Sequence, residues 1–212
     1  MIRVLLVDDH PLITERLESR LRSEPDIEVV SCAGSMAGAH RALSEYQVDV
    51  VVCDIRLPDG SGFELLDDAA ELPKPPRFLM LSSFDTPQYI DAAQRLGAAG
   101  FLLKITPTEE ILAAIRRIAA GGSSYDLSLV RAGAAAAWKP LTPRDRDVLT
   151  ALMRGRSNDE IAADLGISRK TVEAHLSRLF ARAGALSRTE LALKAERERW
   201  LDMPPERRTH SA

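Results

Sequence analysis

VDVVVCDIRLPDGSG, Val48 to Gly62, is an apolar run that ends on a bare carboxylate. Val50, Val51, Val52 and Cys53 read as a strand buried on both faces, the kind found in parallel sheets whose faces are covered by helices. Asp54 closes the run, and Arg56-Leu57-Pro58-Asp59-Gly60 reads as a turn. A carboxylate at the end of such a strand needs a chemical reason.

The flanks of this run supply the architecture. Ile2–Val7 is a short apolar run that stops at Asp8-Asp9. Ile27–Ser31, Arg77–Leu81 and Phe101–Leu103 are further strands. Helical segments lie between them at Pro11–Ser23, Ser35–Tyr46, Gly62–Leu72 and from Asp85 to Leu96, and Thr106-Pro107 opens another that runs to Ala120. Five strands with intervening helices predict a doubly wound α/β sheet, flavodoxin-like, in the order 2-1-3-4-5. "AAGGSSYDLS" marks a boundary, and Leu127–Trp138 suits a linker helix. From Leu141 the pattern becomes all-α, with four helices near 143–153, 157–164, 168–183 and 187–200. The expected domains are therefore 1–120 and 141–200, joined by a linker over 121–140, with a disordered polar tail over 201–212.

Composition agrees with two soluble domains. The hydrophobic fraction is 45% with 28% charged residues, and no apolar run approaches the length of a membrane span. "MIRVLLVDDHP" turns acidic too early for a signal peptide. Cys32 and Cys53 have no paired spacing, which suggests two small core residues in a reducing cytoplasm. Residues 1–120 carry 12 Lys/Arg against 19 Asp/Glu, whereas residues 121–212 carry 16 against 12. An acidic front half and a basic back half point to different partners, nucleic acid for the second.

In an open parallel sheet, function gathers beyond the carboxyl ends of the strands. This sequence places Asp8-Asp9 after the first strand, Asp54 after the third, Ser82-Ser83 after the fourth and Lys104 after the fifth. Grouped carboxylates repel one another unless a cation joins them. A hard ion such as Mg²⁺ suits them, and phosphoryl transfer suits the set, with a carboxylate as nucleophile and Lys104 pairing with a phosphate oxygen. Each residue alone has a plain reading, Asp54 as a cap and Lys104 as a solvated strand end. His10 is either a contact of this site or a polar residue at the start of the first helix.

These residues, together with Pro58 and Gly62, resemble the receiver domain of a two-component response regulator. The resemblance implies that Asp54 accepts a phosphoryl group from a sensor histidine kinase. It implies that Asp9, Asp54 and the backbone carbonyl of Arg56 bind Mg²⁺, with Asp8 acting mainly through water. Ser82 is then the switch hydroxyl, and Phe101 matches the switch aromatic, often Tyr, without its hydroxyl.

"SNDEIAADLGISRKTVEAHLSRLFARAG", Ser157–Gly184, reads as two helices joined by a turn at Gly166, with Ser168 capping the second. Arg169, Lys170, Arg178 and Arg182 fall on its outer side, opposed there by Glu173 alone, while Val172, Leu176 and Leu179 pack. Such a helix suits the DNA major groove. The longer run Leu141–Ala195 resembles the LuxR-type DNA-binding domain, and the combination resembles the NarL/FixJ subfamily of response regulators. Candidates for DNA contact are Ser168, Arg169, Lys170, Thr171, Glu173, Ala174, Ser177, Arg178 and Arg182. Some family members carry lysines at the positions of Glu173 and Ser177, so base preference does not carry over. The last helix often forms a dimer contact in the family. Leu191, Leu193 and Trp200 are candidates for that contact or for sealing the domain core.

The expected function is a phosphorylation-controlled transcriptional regulator in the cytoplasm. Its expected partners are a sensor histidine kinase, double-stranded DNA, RNA polymerase and, when active, a second copy of itself, with no membrane partner. A DNA-binding protein whose receiver serves only for docking or dimerisation is the alternative. An Asp-nucleophile phosphatase fits poorly, because Arg56 stands where that class usually has a second Asp, and so does a ligand-sensing quorum regulator, whose apolar pocket is missing.

Overall fold

The computed structural model describes residues 1–125 and 140–203. The chain divides into two compact units, Met1–Trp138 and Lys139–Ala212. The expected linker helix over 127–138 and most of the expected tail lie outside the described residues.

The first unit runs β1 (Ile2–Val7), α1 (Pro11–Arg22), β2 (Ile27–Ala33), α2 (Met36–Glu45) and β3 (Val50–Asp54). A two-residue ladder follows, β4 (Arg56–Leu57) against β5 (Gly60–Ser61), then α3 (Gly62–Ala69). The unit finishes with β6 (Arg77–Ser82), α4 (Pro87–Arg95), β7 (Gly100–Leu103), α5 (Thr108–Ala119) and β8 (Ser124–Tyr125). The main sheet is parallel with order β2-β1-β3-β6-β7-β8. Its first five members follow the expected order. The sixth, β8, falls in the segment expected to be linker. Two residues are too short for any periodicity, and the glycines before them hid the strand. Tyr125 is anchored there by its hydroxyl, which donates to the Ala98 carbonyl at 2.6 Å.

Strand alternation builds the core. Val4, Leu6, Val50, Val52, Leu79 and Leu81 share one face with Leu17 and Leu21 of α1 and with Ile111, Leu112, Ile115 and Ile118 of α5. The alternate residues Leu5, Val51, Phe78 and Met80 are equally buried. Cys53 is a core residue as expected, but Cys32 is exposed because β2 is an outer strand of the sheet.

Register then fixes the site. Val7 pairs with Cys53, so Asp8 and Asp54 follow side by side. Ser82 pairs with Leu103, so Lys104 comes next on the neighbouring strand. The β4–β5 ladder folds the chain back behind Asp54, where the Asp59 carboxylate accepts from the N–H groups of Met36 and Ala37 at 2.7 and 3.0 Å. Those N–H groups are otherwise unpaired at a helix start.

The second unit is helical: α6 (Pro143–Met153), α7 (Asn158–Leu165), α8 (Arg169–Ala183) and α9 (Arg188–Arg197). Thr142, Ser157, Ser168 and Ser187 each accept a backbone N–H from the first turn of the helix they precede. Gly166 and Gly184 end α7 and α8 with φ of 62° and 60°, the left-handed conformation that favours glycine. Val148, Leu149, Ile161, Val172, Leu176, Leu179 and Leu191 form the core of this unit.

Candidate functional site

The carboxyl edge of the sheet holds a cleft of about 430 Å³, with Asp54 and Ser82 in its wall. Lys104 Nζ lies 2.7 Å from Asp54 Oδ2 and 2.7 Å from Asp8 Oδ2. All three side chains are buried. Asp9 is more open, and its Oδ1 is 2.8 Å from His10 Nδ1, which also lies 3.0 Å from Asp8 Oδ1. His10 therefore does touch the site. A ring beside an acid pair gives no sequence sign of which way it turns. Burial pushes the Asp54 carboxyl above the usual carboxylate range; the hydrogen bond and charge of Lys104 oppose this, and the Asp8 charge adds to it. Asp8, Asp9, His10 and Asp54 each offer one ligand atom, all within 4.8 Å of one another. A divalent cation fits this donor set, which is mainly hard oxygen.

Ser82 Oγ donates to the Phe84 carbonyl at 2.8 Å and accepts its N–H at 3.0 Å, so the hydroxyl is engaged within its own loop. Phe101 is fully buried, 1% exposed. The ring therefore already occupies an inward position. Behind the site, Tyr89 packs edge-on to Phe63 with ring centroids 5.9 Å apart.

In the helical unit, α8 exposes Ser168, Arg169, Lys170, Thr171, Glu173, Ala174, Ser177 and Arg178 along one side. Arg169 is paired twice, with Glu173 at 3.0 Å and with Asp159 of α7 at 3.1 Å. Arg178 bonds to Asp145 of α6 at 3.2 Å. Arg182 is half-buried, with its guanidinium 5.1 Å from the centroid of the Trp200 ring. Of these four basic side chains, Lys170 is the one without a partner among the described residues.

Both units match known families. Residues 4–116 match the response regulator receiver domain, and residues 139–195 match the bacterial regulatory proteins of the luxR family. The transcriptional regulatory protein UhpA of Escherichia coli K12 is 39% identical over 192 residues, covering 91% of this chain and 96% of UhpA. This chain is a NarL/FixJ-family response regulator. The response regulator is also similar to the DNA-binding transcriptional activator DevR/DosR of Mycobacterium tuberculosis, at 35% identity over 92% of this chain and 94% of the relative. Among solved structures it resembles the response regulator ChrA of a heme-sensing two-component system, with 33% identity, a TM-score of 0.53 and coverage of 94% and 98%. RcsB of Salmonella typhimurium, at 20% identity, TM-score 0.66 and coverage of 93% and 98%, shares the fold.

Within this response regulator, the strand-end residues Asp8, Asp9, Asp54 and Lys104 come together as the sequence reading placed them. Of the three residues expected at a dimer contact or in the domain core, two take the core alternative. Leu191 and Trp200 are 0% and 2% exposed and seal the interior of the helical unit, while Leu193 is 67% exposed. Trp200 also lies beyond the end of α9, in the turn that follows it. Helical spacing alone does not separate the side of α9 that meets α6 and α8 from the side left open. The sequence reading also missed Asp145, whose carboxylate bonds to Thr142, His175 and Arg178. An acid in a helix's first turn reads as ordinary, and nothing local shows that it is also a cross-helix anchor.

Proposed function

We propose that this response regulator accepts a phosphoryl group on Asp54 from the histidine of a sensor kinase and thereby controls DNA binding by its helical unit. The observation that carries this reading is the Asp54 carboxylate in an open cleft, buried beside Lys104 and flanked by Asp8 and Asp9. A carboxylate oxygen of Asp54 attacks phosphorus as the bond to the kinase histidine breaks, leaving an acyl phosphate. Lys104 holds one phosphoryl oxygen through its ammonium. Asp9, Asp54 and the Arg56 carbonyl, with Asp8 through water, would hold Mg²⁺, which would supply neutralisation of phosphoryl charge. Ser82 leaves its bonds to Phe84 and turns toward the phosphoryl group. That shift biases the receiver between two arrangements, and dimerisation and DNA binding follow.

The DNA reading is supported by the exposed face of α8, by the LuxR-family match and by relatives named as transcriptional regulators. α8 enters the major groove. Lys170 reaches a base edge, and Arg169 is held by Asp159 and Glu173 in a fixed direction. Leu193 is the residue proposed for a dimer contact on DNA.

The test is incubation with a small-molecule phosphodonor and Mg²⁺, followed by intact mass. The wild-type chain gains one phosphoryl group, and Asp54→Asn, nearly isosteric but not nucleophilic, gains none. A wild-type phosphoryl group that maps to a residue other than Asp54 overturns the assignment; one that maps to another residue in the variant alone does not. A wild-type chain that binds DNA but takes no phosphoryl group supports the docking reading of the receiver.

A further inference from the structure

We infer that His10 is a direct ligand of the receiver's divalent ion, through Nδ1, which gives the site a mixed nitrogen–oxygen donor set. The inference rests on the metal-assisted phosphoryl-acceptor reading of the same cleft. His10 occupies the N-cap position of α1, but its side chain makes no capping hydrogen bond. The ordinary task of a residue at that position is therefore not what orients the ring. The His10 backbone N–H donates to Asp8 Oδ1 at 2.9 Å and so fixes the residue against the acids. Its Nδ1 lies 2.8 Å from Asp9 Oδ1, 3.0 Å from Asp8 Oδ1 and 3.9 Å from Asp54 Oδ2. Two ligands of one ion with bonds of about 2.0–2.2 Å stand up to about 4.4 Å apart. All three separations fall inside that span.

The two nitrogen-bearing side chains meet over this cluster, with Lys104 Nζ 3.5 Å from His10 Nδ1. Lys104 serves Asp8 Oδ2 and Asp54 Oδ2, while His10 Nδ1 faces Asp8 Oδ1 and Asp9 Oδ1. Ligation needs a lone pair on Nδ1, so the ring proton sits on Nε2. An imidazole nitrogen favours the later first-row ions over Mg²⁺, and Mn²⁺ lies above Mg²⁺ on that account. The consequence is a receiver whose preference between Mn²⁺ and Mg²⁺ depends on one side chain outside the carboxylate set.

Mn²⁺ is the probe, because it is paramagnetic and reports the nuclei bound to it. Pulsed electron paramagnetic resonance on the tag-free, full-length chain loaded with Mn²⁺ is expected to show nitrogen modulation from a directly bound imidazole. His10→Gln is expected to abolish that modulation and to lower Mn²⁺ affinity by about tenfold, with a smaller loss for Mg²⁺ in competition. Bound Mn²⁺ without nitrogen coupling in the wild type overturns the inference, and so does coupling that survives in His10→Gln. The wild-type spectrum stands whether or not the variant folds. Asp9→Asn separates the two levels of the argument. If it leaves Mn²⁺ binding intact, or if the wild type binds no Mn²⁺, the metal reading of the cleft fails and takes the His10 inference with it.

Discussion

A methyl group at position 62 would stand 2.1 Å from the Asp54 carbonyl oxygen and 2.9 Å from Cys53 Sγ. Glycine there lets α3 begin directly behind the strand end that carries Asp54. We expect Gly62→Ala to push that strand end forward and to cost about 1–3 kcal/mol, the usual range for overpacking a filled space. Urea denaturation of the receiver measures the loss, and unchanged stability would mean that the backbone yields there at little cost. The residues in front of Gly62 were legible for a simple reason. A buried strand in a parallel sheet ends at a defined edge, so the residue just after each apolar run is placed by register alone. Asp8, Asp54 and Lys104 follow that rule. His10 does not, because its part in the site depends on the rotation of a ring, and neither spacing nor periodicity reports a rotation.

Between elements, Asp145 has the largest part in the helical unit. It sits in the first turn of α6 and accepts from His175 and Arg178 on α8, at 2.6 and 3.2 Å. Burial works to raise its carboxyl, but the hydrogen bonds of His175, Thr142 and Arg178 together hold it below the ordinary range. A lowered carboxyl stabilises the fold fully above the unfolded carboxylate range, and that contribution fades as pH falls through the folded value. Asp145→Asn is therefore expected to cost about 1–3 kcal/mol near neutrality, with the gap to wild type closing in strong acid. Thermal melts in neutral and acidic buffers test this, and a gap that widens with acid would reverse the sign. On α8, Lys170→Ala should weaken specific DNA binding by about 1–3 kcal/mol and relax preference at one base pair. Titration against operator variants reads the outcome, and an equal loss on every sequence would reassign Lys170 to a phosphate. The helices themselves were legible from their caps and glycines. The partners of Arg178 and Arg182 were not, because spacing along one helix shows which side faces outward but not what another helix brings to that side.

Across the whole molecule, an acidic front half and a basic back half accompany the division into two compact units. The unit after Pro140 has its own buried core. We expect the fragment from Leu141 to bind duplex DNA alone, with log affinity falling against log salt by roughly 0.9 for each phosphate neutralised. Anisotropy titrations over a salt series give the slope, and a fragment that binds no DNA at low salt would remove the groove-binding role of α8. The receiver's far boundary was less legible, since Ser124–Tyr125 pairs with Gly100–Phe101 as a sixth strand beyond the expected end. That pairing has a practical consequence for any truncated receiver. A chain cut at residue 120 removes the partners of Gly100 and Phe101 and extends the open edge of β7 along the whole strand. Such a margin templates strand addition from a second copy, so the shortened receiver should self-associate, and aggregate, through contacts that the intact protein blocks.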